Sequence, residues 1–218
     1  YANVQYPWDG REEIWTDEIP TEFNPTACYV KYFTLPENFS NQKVFVSFQG
    51  VESGIALFLN GHYVGYSEDT FTPSEFELTP YLVEGENKLA AMVFKWTSSS
   101  WCEDQDFFRF SGIFRSVYFY TVPKVHLYDV KVEPEVTEAL DAADLKIGLI
   151  STAKGKARFT LLDGENQVME EERELDLENS FSFAIASPKL WSAEIPYLYE
   201  LRIEVSDEAG ILQEVTSM

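Results

Sequence analysis

Apolar and polar residues alternate along most of this chain, and they rarely recur at the three-to-four spacing of a helix. Tyr29-Val30-Lys31-Tyr32-Phe33, closed by Pro36-Glu37-Asn38, reads as a strand, and so do Lys43–Phe48, Lys88–Trp96 and Ser116–Thr121. Ile55–Leu59 runs through Asn60-Gly61 into His62–Tyr66. Asn-Gly between two apolar runs predicts a hairpin, because both central turn residues need positive φ. The best helical signal is a single turn over Pro73–Leu78, too short to build a domain. Tyr1–Pro25 has neither period and reads as an extended loop.

A break falls at Val122-Pro123-Lys124. Beyond it a second set of strands is predicted over Val125–Val132, Leu145–Thr152, Ala157–Leu162, Phe181–Ala186 and Leu198–Val205, with a turn at Asp163-Gly164. The expectation is an all-β protein of two domains. Residues 1–122 form a jelly-roll-type β-sandwich, and residues 123–218 an immunoglobulin-like β-sandwich. Five or six strands can be placed in the second domain, where about seven is usual, so it is expected to lack its last strand.

Composition narrows the partners. Net charge is −21, divided almost evenly at about −10 before Pro123 and about −11 after it. A field of that sign repels nucleic acid and anionic membranes but tolerates a neutral sugar. No apolar run approaches a membrane span. Cys28 and Cys102 fit no zinc pattern, and two free thiols suit a reducing, cytoplasmic setting. Tyr1-Ala2-Asn3 offers no initiator Met and no leader segment, a start shared by a chain whose signal peptide has been removed and by one cut out of something larger.

Chemistry concentrates in one segment, Trp101–Arg115, where Glu103, Asp104 and Asp106 lie among five aromatics and two arginines. Carboxylates accept sugar hydroxyls and rings offer an apolar face, so a neutral polar ligand fits, as does a hard cation. The plainer reading pairs Arg109 and Arg115 with the acids and buries the Phe residues. Glycoside hydrolysis needs two carboxyls facing each other across the sugar, and neighbours on one loop do not supply that. There is no phosphate-binding Gly loop and no serine-hydrolase elbow, and His62 and His126 read as surface or hinge residues.

Glu103-Asp104-Gln105-Asp106 with Arg109-x-Ser111-Gly112-Ile113-Phe114-Arg115 closely resembles the signature of the bacterial β-galactosidases of glycoside hydrolase family two. Co-linear stretches agree: Tyr1-x-Asn3-Val4-x-Tyr6-Pro7, Asn24-Pro25-Thr26-x-Cys28-Tyr29, Asn60-Gly61-x-x-Val64-Gly65-Tyr66 and Pro188-Lys189-Leu190-Trp191-Ser192-Ala193-Glu194-Ile195-Pro196.

That resemblance implies a sugar-binding jelly roll and an immunoglobulin-like domain, followed in the intact enzyme by a TIM barrel. The barrel carries the acid/base and nucleophile glutamates of a retaining hydrolase acting on terminal β-D-galactose. It implies that Asn3 and Asp106 contact galactose and that Asp106 ligates sodium. Glu68 falls where some members carry a Gln at a peripheral magnesium site, and Ser98 falls where they carry an accompanying Asp, so the match to that site is partial. By itself the chain is expected to be catalytically inactive and to hold neither ion tightly. The intact enzyme is expected to be a homo-oligomer. The alternative is a free-standing carbohydrate-binding module.

Overall fold

The computed structural model describes residues 13–15, 18–39, 42–103 and 110–218. The chain divides into two compact units, Tyr1–Thr121 and Val122–Met218.

In the first unit the strands are β1 (Thr26–Thr34), β2 (Lys43–Phe48), β3 (Val51–Glu52), β4 (Gly54–Leu59), β5 (His62–Ser67), β6 (Ser74–Glu77), β7 (Glu86–Phe94), β8 (Gly112–Ile113) and β9 (Val117–Val122). They form a four-stranded sheet in the order β1-β7-β4-β5, a three-stranded sheet β6-β2-β9 and a short pair β3-β8. β7 shows the cause plainly. Asn87, Leu89, Ala91 and Val93 point inward, and the residues between them face away, as a pleat of period two demands. Their core partners are Ile55, Leu57 and Leu59 of β4 and, from the other sheet, Val46, Phe48 and Phe76.

The predicted hairpin is present: Asn60 (φ 52°) and Gly61 (φ 88°) join β4 to β5 in the left-handed pair that such a turn needs. The Asn60 side chain then ties this turn to the start of β7. Its amide donates to Tyr81 O and Asn87 Oδ1, and its oxygen accepts the Lys88 N–H.

The helical turn expected over Pro73–Leu78 is a strand, β6. Ser74 and Phe76 are buried, Glu75 is exposed and Glu77 half-buried, and the segment pairs antiparallel with β2. Four residues carry too little of a pattern to separate the two periods, and the neighbouring strand decides. One turn of 3₁₀ helix, Thr79–Tyr81, follows it.

The second unit holds β10 (Leu127–Val136), β11 (Ala142–Ser151), β12 (Gly155–Asp163), β13 (Asn166–Leu175), β14 (Glu178–Ala186), β15 (Glu200–Ser206) and β16 (Leu212–Ser217). The sheets are β10-β11-β14 and β13-β12-β15-β16, packed around Phe159, Ile147, Leu149, Ile203 and Val205. Phe159 meets Phe181 and Phe183 at 5.1 and 5.0 Å between ring centres, within the range of favourable aromatic pairs.

The expected count of five or six strands is corrected to seven among the described residues. β13 and β16 show little hydrophobic period because each is a sheet edge with few buried side chains. Across the outer face of this sheet, Glu172 faces Lys156 and Arg158 and Glu204 faces Arg158, which is the cross-strand pairing expected of a solvated face, while Arg202 pairs with Glu204 along β15. Among the described residues, no helix is long and apolar enough to cross a membrane.

Candidate functional site

Asn3, Asp104 and Asp106 lie outside the described residues. The structure does describe both flanks of residues 104–109 and what holds them.

The leading flank is α1 (Ser99–Cys102), a single helical turn entered from the end of β7. Ser98 occupies its N-cap without a side-chain cap hydrogen bond. The Ser99 N–H is instead satisfied from another segment: Glu68 Oε2 accepts it at 2.9 Å, and Ser99 Oγ donates to Glu68 O at 2.8 Å. A cluster of hydroxyls braces the same turn. Ser53 Oγ lies 2.7 Å from Thr97 Oγ1 and 2.9 Å from Ser100 Oγ, which also accepts the Thr97 N–H. At the far end of α1, Glu103 accepts the Thr70 N–H at 2.9 Å on Oε1 and the Thr70 hydroxyl at 2.6 Å on Oε2. Thr70 is buried.

The trailing flank begins at Phe110. Lys95, buried at the end of β7, donates from Nζ to Phe110 O and Ser111 Oγ, both at 2.8 Å, and sits 4.7 Å from the Trp96 ring centre. Arg115 donates to Gln49 O and Phe71 O and lies over the Phe71 and Phe114 rings. Among the described residues the partners of Arg115 are thus carbonyls and rings, while Asp104 and Asp106, two of the acids expected to pair with it, lie outside them. Arg109 lies outside the described residues.

The early stretch joins the same region. Asn24 bonds both backbone groups of Trp96, and Trp101 Nε1 donates to Glu18 O at 2.5 Å. Asn24, Thr70 and Lys95 are the residues that sequence reasoning missed. A lone Lys ending the apolar run Ala90–Phe94 was the one available signal, since a buried ammonium must find oxygen partners.

Three carboxylates on the two segments that meet at α1, Glu68, Asp69 and Glu103, all accept protein donors, and a further one, Glu52 of β3, is buried. Glu68 Oε1 takes the Tyr66 hydroxyl at 2.8 Å, and Asp69 Oδ1 takes the N–H groups of Phe71 and Thr72. Burial first, then the hydrogen bond to Glu68, pushes the Tyr66 phenol above its ordinary range. Hydrogen bonds from Thr72, its side chain first, hold Asp69 below the usual carboxylate range. Magnesium does not fit Glu68 well. Its oxygens face an O–H and an N–H, Ser98 offers no carboxylate, and no cluster of three potential ligands occurs among the described residues.

The two histidines stand apart from this arrangement. His62 stacks on Tyr81 at 6.0 Å between ring centres, while His126 Nδ1 lies 3.1 Å from Glu214 Oε2 in the other unit. That unit also carries an apolar cleft of about 610 Å³, lined by Val132, Leu145, Leu190, Trp191 and Leu198 among others. Its lining is suited to an apolar surface rather than a sugar.

Two family models match. "Glycosyl hydrolases family 2, sugar binding domain" covers residues 1–123, and "Glycosyl hydrolases family 2" covers residues 125–218. The chain is 47% identical to a beta-galactosidase of Halalkalibacterium halodurans over 99% of its own length and 22% of that protein's. It is 44% identical to a beta-galactosidase of Streptococcus thermophilus, over 99% of this chain and 21% of the relative. It thus spans little more than a fifth of the length of these curated relatives. Among solved structures, a Bifidobacterium dentium beta-glucuronidase complexed with coumarin-3-O-glucuronide superposes with a TM-score of 0.69 at 21% identity, covering 88% of this chain and 39% of that one. A Bacteroides uniformis beta-glucuronidase gives 0.70 at 21%, covering 89% and 26%. At that identity the likeness is one of fold.

Proposed function

Since the chain belongs to glycosyl hydrolase family 2, we propose that it is the sugar-positioning part of a beta-galactosidase. The activity is hydrolysis of terminal non-reducing β-D-galactose, as in lactose, with retention of configuration. The observation that carries this reading is 47% identity to a beta-galactosidase along 99% of the chain. Asn3 and Asp106 contact the galactose hydroxyls, and Asp106 contributes to a sodium site. A TIM barrel outside these 218 residues supplies the acid/base and nucleophile glutamates, and the whole enzyme is a homo-oligomer. The exposed free thiols of Cys28 and Cys102 support a cytoplasmic setting.

Two features support a positioning role rather than bond cleavage. A retaining glycosidase needs two carboxyl groups roughly 5–5.5 Å apart, one of them with a raised pKa. Glu68, Asp69 and Glu103 instead hold backbone N–H groups, which fixes the loops they join. Both flanks of 104–109 are fastened, and fixed anchor points are what orienting a sugar requires.

The test is hydrolysis of a chromogenic β-galactoside. The 218-residue chain alone should give no turnover. A longer protein carrying this segment should turn over, and Asp106→Ala in it should lower kcat/KM by about a hundredfold or more. Turnover by the 218 residues alone, abolished by Asp106→Ala, overturns the reading.

A further inference from the structure

Two carboxylates join the same pair of chain segments, one from each side. Glu68, on the segment leaving β5, takes the Ser99 N–H 31 residues ahead. Glu103, at the far end of α1, takes the Thr70 N–H and hydroxyl 33 residues behind. The two clasps therefore bracket α1, and the second is the last described residue before 104–109. From these contacts we propose that Glu68 and Glu103 form a reciprocal, metal-free clasp that sets the entry of the chain into the Asp104–Asp106 run. In this chain, Glu68 is a positioning residue and not a magnesium ligand.

The donor set argues for it. A magnesium ion takes oxygen ligands at about 2.0–2.1 Å and is usually held through one or two carboxylates with oxygens to offer. Glu68 Oε2 receives an N–H at 2.9 Å and Oε1 receives an O–H at 2.8 Å, so both atoms already face the positive ends of dipoles. Asp69 and Glu103, the other carboxylates on these two segments, are oriented onto backbone N–H groups as well. Ser98 brings only a hydroxyl to the position beside them. The turn also needs no cation to hold it. The N–H that Ser98 leaves uncapped is capped by Glu68, and Thr70, to which Glu103 is tied, is itself buried.

The clasp stands without the proposed activity; only its service to Asp106 rests on that reading. The experiment uses the 218-residue chain, with amide hydrogen exchange followed by NMR and thermal unfolding followed by circular dichroism, in a chelator and in millimolar magnesium chloride. The expected result is slow exchange at the Ser99 and Thr70 amides in the chelator, with a melting midpoint that magnesium leaves within about 1 °C. Glu68→Ala should speed exchange at Ser99 by about tenfold or more, and Glu103→Ala should do the same at Thr70. Glu68→Gln and Glu103→Gln, which keep an acceptor oxygen, should retain most of the protection.

Magnesium slowing Ser99 exchange, or raising the midpoint by several degrees, overturns the proposal, as does fast exchange at Ser99 in the unaltered chain. If an alanine variant fails to fold, the unaltered chain's protection and its response to magnesium still decide. Failure of a longer protein to hydrolyse galactosides would overturn the proposed function and leave the amide result intact.

Discussion

Asn24 closes both backbone groups of Trp96 across 72 residues of sequence, its Nδ2 donating to Trp96 O at 2.8 Å and its Oδ1 accepting Trp96 N–H at 2.9 Å. A primary amide fits this place because it carries a donor and an acceptor side by side, as a peptide does. Asn24→Ala leaves two backbone groups beside a buried Trp without partners. It should lower stability by about 2 kcal/mol, measured as the denaturant midpoint of the first unit. Asn24→Asp keeps the acceptor and loses the donor, so it should fall between the two.

Glycines in the second unit separate close approach from backbone strain. A Cβ at Gly155 would stand 2.2 Å from Ser206 O, on the backbone of the strand that pairs with β12, and only a shift of β12 against β15 makes room. Gly210 has φ +79° but open space around it. Gly155→Ala should cost about 3 kcal/mol and Gly210→Ala about 1 kcal/mol, read from chemical denaturation. Equal costs would show that the strand pair yields easily.

Alkaline titration should find Tyr66 and Tyr120 to be late phenols among the described tyrosines. Tyr66 and Tyr120 are both raised above the ordinary phenol range, by burial first and then by hydrogen bonds to Glu68 and Glu75. Their unfolded counterparts release protons near pH 10 while the folded groups keep theirs, so the unfolded state binds fewer protons and stability falls as pH rises. Their contribution is whole below about pH 10 and is lost above it. Phenolate absorbance in Tyr66→Phe and Tyr120→Phe should each lack one late-titrating group, and the early-titrating amplitude should be unchanged.

Much of the fold was legible because inward and outward residues alternate over whole strands. Residues 88–96 announce β7, and Asn60-Gly61 announces its hairpin, since both signals are local. β6 was not legible: Ser74-Glu75-Phe76-Glu77 becomes a strand only because β2 lies beside it. The site divides along the same line. The acid-aromatic segment stands out in composition. The duties of Glu103, Lys95 and Asn24 depend on Thr70, Phe110 and Trp96, and no local pattern in the sequence links those pairs.

β13 carries Glu170, Glu171, Glu172 and Glu174 along an outer strand whose unpaired side faces away from β12. Those charges hid the strand from a hydrophobic period, and they also guard it. An open row of N–H and C=O groups is a template on which a second copy of the same strand can add, and charged side chains along such an edge disfavour that addition. The stretch that looks least like a strand is thus also the one whose charges work against edge-to-edge addition.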